Sequence, residues 1–252
     1  MIEDVPTEEY SRRPANRKIV NFSQSTGKNK AYDPILPNTS NGGFFCAIIG
    51  ARGSGKSNLL LNLMRKDMLG KTFKKEHTIL FSPSVKLDDT MDKIPAKYKY
   101  EKFDPKQIEN VMAQQKQIKE DYGRAKMPEI LIIFDDNITE RTFKAGSLLE
   151  TLGYRARHLN ISCIFTTQKF SALARGIRVN ATNVMIFEPK KGSELDHIVE
   201  EYASKSNRKA FIKMMEYAWK KPYSFFYMNF LEKDKRKTYW VNFDTPLQLK
   251  DF

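Results

Sequence analysis

Cysteine and histidine are scarce in this chain: 252 residues hold two of the first and three of the second. Cys46 and Cys163 each lie inside an apolar run, the setting of a small buried hydrophobe rather than of a disulfide or redox centre. His77, His158 and His197 are not grouped at metal-ligand spacing and no cysteine stands beside them, which argues against a zinc site. The nucleophile elbow of a Ser–His–Asp hydrolase is missing. No apolar run approaches the roughly 18 residues that cross a bilayer. Residues 1–10 carry Glu3, Asp4, Glu8 and Glu9 without an apolar core, unlike a secretory leader. There is no internal repeat and no purely basic tract. These absences point to a soluble intracellular protein.

What the chain has in excess is positive charge. A formal +13, spread from Arg52 to Lys237, fits a charged face or pore better than a flexible basic tail, and suggests a polyanionic partner. Residues 1–40 read as an N-terminal arm, partly flexible, because Pro6, Pro14, Pro34 and Pro37 interrupt a polar stretch in which only 18–22 has strand character. From residue 41 onward, apolar runs of strand length alternate with helical spacings. Strands are expected at 44–49, 78–81, 129–134, 160–166 and 183–187. Helices are expected at 56–68, 105–122, 142–151 and 194–220. An aromatic hairpin is expected from 224–230 and 238–243, around the charged turn 232–237. Short, wholly apolar strands alternating with helices predict an α/β fold: a mostly parallel sheet covered by helices on both faces. Such a sheet places its ligand at the carboxyl ends of its strands.

Gly50-Ala51-Arg52-Gly53-Ser54-Gly55-Lys56-Ser57 follows the first strand and opens the first helix, and it satisfies G-x-x-x-x-G-K-S throughout. Glycines let the backbone turn its N–H groups around phosphates, and the helix start adds its dipole and free donors. Gly50 to Asn58 is therefore the candidate nucleotide-binding segment. Lys56 is expected to reach the β- and γ-phosphates of ATP, and the Ser57 hydroxyl to ligate Mg2+. The third strand ends in Asp135-Asp136. The first carboxylate is the candidate metal-side ligand, and the second the group that polarises the attacking water. The fourth strand ends in Thr166-Thr167-Gln168, where an amide can bond both water and γ-phosphate.

Taken in this order, the phosphate loop, the two acids and the Thr-Thr-Gln strand end resemble the FtsK–HerA family of ring ATPases. The likeness is greatest to the poxvirus-type genome-packaging ATPases of large DNA viruses, and it covers roughly 44–187. Asp136 stands where bacterial members usually carry glutamate. Arg157-His158-Leu159-Asn160-Ile161 is similar to the family's approach to its sensor strand, so Arg157 matches an arginine finger; Arg155, Arg175 and Arg178 compete for that role. The resemblance implies a RecA-like P-loop core over 41–252, a homo-oligomeric ring of six subunits and nucleotide sites at subunit interfaces. It also implies translocation of double-stranded DNA into a preformed capsid, with capsid or portal-like proteins as partners, in the host cell cytoplasm or associated with the virion. Two other readings stand beside it: a P-loop NTPase with another task, such as a helicase or kinase, and a basic DNA-binding structural protein with a degenerate nucleotide site.

Overall fold

The computed structural model describes residues 35–39, 43–136, 148–232 and 234–252. The 18–22 segment and the first part of the 142–151 helix lie outside them. Each apolar run becomes a strand: β1 (Phe45–Ile49), β2 (Thr78–Phe81), β4 (Ile130–Asp135), β5 (Ile161–Thr167) and β6 (Asn183–Phe187) are buried along their whole length. The aromatic tail supplies β7 (Phe225–Asn229) and β8 (Tyr239–Val241), paired antiparallel as a hairpin. Two short strands lack an apolar signature, β3 (Tyr98–Tyr100) and β9 (Thr245–Leu247). Together they form one nine-stranded sheet in the order β3-β2-β4-β5-β1-β6-β7-β8-β9. The pairs from β3 to β6 are parallel, and those from β6 to β9 antiparallel.

The period-two pleat sorts the strand residues between two cores. One face collects Phe45, Phe81, Ile132, Phe134, Cys163, Phe165 and Ile186. It is covered by α3 (Pro105–Tyr122), α4 (Leu148–Arg155), α5 (Arg175–Asn180), α6 (Gly192–Tyr202) and α7 (Arg208–Ala218). On this face Phe81, Phe134 and Phe165 stack across three adjacent strands, with ring centroids 5.5 and 5.1 Å apart. Such cross-strand pairs fix register as well as burying area. The other face collects Cys46, Ile48, Leu80, Ile133, Ile164, Met185 and Tyr227, beneath α1 (Lys56–Leu63) and the short α2 (Asp89–Asp92).

Three differences from the sequence expectation have local causes. The helix expected over 194–220 is two helices, because 203–207 is a run of small and polar residues in which Ala203 N–H closes on the Val199 carbonyl. The first helix ends at Leu63, and the chain then turns tightly to Gly70, whose α-carbon lies against the Met64 and Arg65 carbonyls; a Cβ there would approach the Met64 oxygen to 2.4 Å. Ile35 and Leu36, upstream of residue 41, are buried in the α1-side core. The Ile35 carbonyl accepts hydrogen bonds from Tyr227 Oη at 2.7 Å and Asn229 Nδ2 at 3.3 Å.

Candidate functional site

The loop between β1 and α1 is held in a compact shape by close approaches. A Cβ on Gly50 would lie 2.4 Å from Ser54 Oγ and 2.9 Å from two atoms of Phe187, so only glycine fits. Gly55 caps α1 in the left-handed region at φ 106°, with no side chain satisfying the first turn of the helix. The Gly50 N–H donates to the Thr167 carbonyl at 3.1 Å, which ties the loop to the end of β5. Lys56 Nζ crosses the loop and donates to the carbonyls of Gly50 at 2.6 Å and Ala51 at 3.3 Å. Burial holds the Lys56 ammonium below its ordinary pKa, and the charges of Asp136 and then Asp135 push it back up. Ser54 Oγ is buried without a hydrogen-bond partner, an orphaned donor inside a loop rich in backbone N–H groups.

The pleat decides where Asp135 points. Leu131 and Ile133 of the same strand face α1, and Asp135, two residues beyond Ile133, shares that face. Ser82 and Thr166 occupy the same face at the ends of β2 and β5, the strands on either side of β4. Ser82 Oγ donates to Asp135 Oδ2 at 2.7 Å, and Thr166 Oγ1 donates to Oδ1. Burial raises the Asp135 pKa, while the hydroxyls of Thr166 and Ser82 pull it down. Asp136 follows with φ 47°, left-handed for a residue with a side chain, a conformation that costs about 1–2 kcal/mol. Its N–H donates to the Thr166 carbonyl at 3.2 Å. The turn brings its carboxylate to the exposed rim, where Gln168 Nε2 donates to Oδ2 at 3.0 Å.

Thus Gly50–Asn58, Asp135, Asp136 and Gln168, all named from sequence, converge at the carboxyl ends of β1, β4 and β5. Arg157 does not join them. It lies in a 3-10 turn, Ala156–Leu159, before β5 begins, at the opposite edge of the sheet, about 20 Å away along a seven-residue strand. There it is exposed, with Nε 3.3 Å from His158 Nε2. Arg155 is exposed at the end of α4, and Arg175 at the start of α5. Arg178 is engaged within the chain: its Nε lies 3.2 Å from Glu201 Oε2, and its guanidinium stands over the Phe170 ring at 5.1 Å.

Sequence reasoning missed two partners of the site. Ser82 is the first polar residue after an apolar strand, the same signal that marked Asp135 and Gln168. Glu194 carried no such signal: both its carboxylate oxygens accept from Ser171, one from the N–H at 3.1 Å and one from the hydroxyl at 2.6 Å. This bond latches the segment after Gln168 to α6. Two cavities flank the loop, one of about 180 Å³ bounded by Gln168, Phe170 and Glu194, the other of about 470 Å³ toward β6 and β7.

The residues present suit a nucleoside triphosphate with magnesium. Glycine-shaped backbone, an uncapped helix start, the orphaned Ser54 hydroxyl and Lys56 are donors for phosphate oxygens. Ser57 and Asp135 provide hard oxygen ligands, the type magnesium takes.

Comparison with solved structures gives the same fold. The genome packaging NTPase B204 from Sulfolobus turreted icosahedral virus 2, in complex with AMP, matches with a TM-score of 0.54 at 16% identity, over 82% of this chain and 98% of that one. B204, the DNA-packaging ATPase from Sulfolobus turreted icosahedral virus, matches with a TM-score of 0.52 at 17% identity, over 81% and 98%. EssC (ATPases 2 and 3) from Geobacillus thermodenitrificans matches with a TM-score of 0.53 at 14% identity, over 81% of this chain and 39% of that one. No curated protein sequence matches significantly. The family described as Poxvirus A32 protein matches residues 38–227, a span that holds the loop, both carboxylates and Gln168. The chain belongs to the poxvirus A32 protein family, within the FtsK–HerA group of P-loop ATPases that its motifs resemble.

Proposed function

We propose that this protein is a magnesium-dependent ATPase that drives double-stranded DNA into a viral capsid. The observation that carries the reading is the convergence of Lys56, Asp135 and the Asp136–Gln168 pair around one phosphate-shaped loop. ATP lies with its phosphates along Gly50–Asn58, and Lys56 exchanges the Gly50 and Ala51 carbonyls for the β- and γ-phosphate oxygens. Ser57 and Asp135 would hold a magnesium ion, which would supply charge neutralisation to the phosphates. Asp135 stays oriented by Ser82 and Thr166. Asp136, aligned by Gln168, takes the proton of a water that attacks the γ-phosphorus. The bond to the β–γ bridging oxygen breaks, leaving ADP and phosphate.

Arg157 serves this reaction only across a subunit boundary, because its own sheet separates it from its own loop. The assembly proposed is a ring of six in which each subunit's Arg157 reaches its neighbour's γ-phosphate. The net charge of +13 suits a ring lined for the phosphates of a duplex, contacted without base readout. One structural neighbour is named as a genome packaging NTPase and another as a DNA-packaging ATPase, which supports the packaging task; the partners proposed are capsid or portal-like proteins, and the place of work the host cytoplasm. Among the described residues, no helix is long and apolar enough to cross a membrane.

The test is ATPase rate with and without duplex DNA. Wild type turns over faster with DNA, Lys56→Ala is inactive, and Asp136→Asn binds ATP without hydrolysing it. Mixing Arg157→Ala with Lys56→Ala subunits restores turnover. Hydrolysis indifferent to DNA removes the translocase reading, wild-type turnover by Asp136→Asn removes the catalytic assignment, and no rescue in any mixture removes Arg157 from its role.

A further inference from the structure

At the rim of the loop the chain enters β7 through a turn over residues 221–224, closed by the Ser224 N–H on the Lys221 carbonyl at 3.1 Å, with Pro222 and Tyr223 at its corner. Tyr223 has φ 61°, a left-handed conformation that a bulky side chain avoids. Its side chain is not hidden in compensation: Tyr223 is 74% exposed. The ring stands over the phosphate loop, where a Cβ on Gly55 would be 3.5 Å from Tyr223 Cδ1. The turn accounts for the backbone, but not for an exposed aromatic ring beside a binding loop at a turn position that glycine fills most easily.

The sheet order gives the direction of that ligand. Asp135, Asp136 and Gln168 stand on β4 and β5, to one side of β1; β6 and β7 lie on the other side. A triphosphate with its terminal phosphate beside the carboxylates runs along the loop, so its nucleoside extends toward β6 and β7. From β4 to β7 is four strand spacings, about 19 Å, room for an extended nucleotide. The 470 Å³ cavity lies at the far end of this path, walled by Phe187, Pro189, Pro222 and Tyr223, with Arg52 and Lys190 at its edge. Trp219 fixes one wall, its Nε1 donating to the Ile186 carbonyl at 2.8 Å.

We propose that this cavity is the nucleoside subsite and that Tyr223 holds the base by stacking on it. The inference rests on the nucleotide reading of the loop and adds where the base goes and what binds it. Stacking uses the π-face that every base has, so Tyr223 contributes affinity without choosing between adenine and guanine.

The experiment compares binding of magnesium ATP, magnesium GTP and magnesium tripolyphosphate, which has the phosphates but no nucleoside, to the full chain by calorimetry. Tyr223→Ala weakens ATP and GTP alike by about 10-fold or more and leaves tripolyphosphate unchanged, while Tyr223→Phe binds all three as wild type does. Tyr223→Gly separates ring from backbone: it relieves the strain and melts higher than Tyr223→Ala, yet binds ATP as weakly. Wild-type ATP affinity no greater than that for tripolyphosphate, or equal loss of all three ligands in Tyr223→Ala, overturns the subsite and leaves the loop standing. If wild type binds neither ATP nor tripolyphosphate, the loop reading and the subsite fall together.

Discussion

Replacing Thr166 by valine tests the arrangement that fixes Asp135. The substitution keeps a β-branched side chain of the same shape in a position that is only 3% exposed, and removes one hydroxyl that donates to the carboxylate. A hydrogen bond to a charged group contributes about 1.5–3 kcal/mol, a large share of a total stability of about 5–15 kcal/mol. For a domain of this size the melting temperature falls by about 4–10 °C. Ser82→Ala removes the other donor and costs a similar amount, and the double variant is not the sum, because both act on one carboxylate.

The pH dependence separates this cause from lost packing. Thr166 and Ser82 stabilise the ionised form and so pull the Asp135 pKa down, against the burial that raises it. Valine at 166 lets that pKa rise further. The stability gap between wild type and variant is therefore full above the variant's raised pKa, and its charge-dependent part vanishes as pH falls through the wild-type value. Taken alone, a buried Asp135 with a raised pKa favours folding most below the unfolded carboxylate value, and that advantage is lost as pH rises through the folded one. Urea unfolding of both proteins from pH 3 to 8 measures the gap. A gap that is flat across this range refutes the reasoning, as does one below about 0.3 kcal/mol at pH 7, since the hydroxyl would then not be serving the charge.

Gly50→Ala forces its Cβ against Ser54 Oγ and Phe187; we expect a loss of about 1–3 kcal/mol in urea unfolding, partly recovered by adding Ser54→Ala. Glu194→Ala breaks both bonds to Ser171 and frees the segment after Gln168, so kcat should fall more than KM rises, whereas Glu194→Gln keeps part of the latch and part of the rate. Burial raises the pKa of both thiols, that of Cys163 well above the ordinary value, so a thiol reagent at pH 8 should modify neither Cys46 nor Cys163 in the folded protein and both in urea.

Much of the fold was legible because buried parallel strands are written as unbroken apolar runs. Phe45–Ile49 carries that pattern without a break, Ile130–Asp135 keeps it up to its last residue, and Ile161–Thr167 departs from it only at Ser162 and its two closing threonines. Tyr98–Tyr100 does not carry it: it lies at the sheet edge, half exposed, with Lys99 at its centre. Thr245–Leu247 holds Pro246, tolerated because the other edge of the sheet needs no further ladder there. Strand order was not legible at all, and the partners of Asp135 depend on it. Ser82 is 53 residues away and Thr166 is 31; only the placement of β4 between β2 and β5 makes them neighbours.

The backbone itself marks where local rules give way. Four described residues other than glycine have a positive φ: Asp136, Asn160, Tyr223 and Asn242. Asparagine tolerates this region best among residues with a side chain. Asn242 also has a local use for it, since its Oδ1 accepts the Phe225 N–H at 3.0 Å. Asn160 turns the chain into β5, far from the loop. That leaves Asp136, of a type this region also tolerates, and Tyr223, of a type it disfavours, and they stand on either side of the phosphate loop. The turn at Asp136 takes its carboxylate off the face on which Asp135 is buried and sets it on the rim beside Gln168, so two adjacent acids acquire different surroundings and can do different work. At Tyr223 the turn over residues 221–224 holds an aromatic ring out in solvent. Glycine or asparagine would fit either position at least as well; the carboxylate and the ring that stand there instead lie at the two ends of the path proposed for the nucleotide.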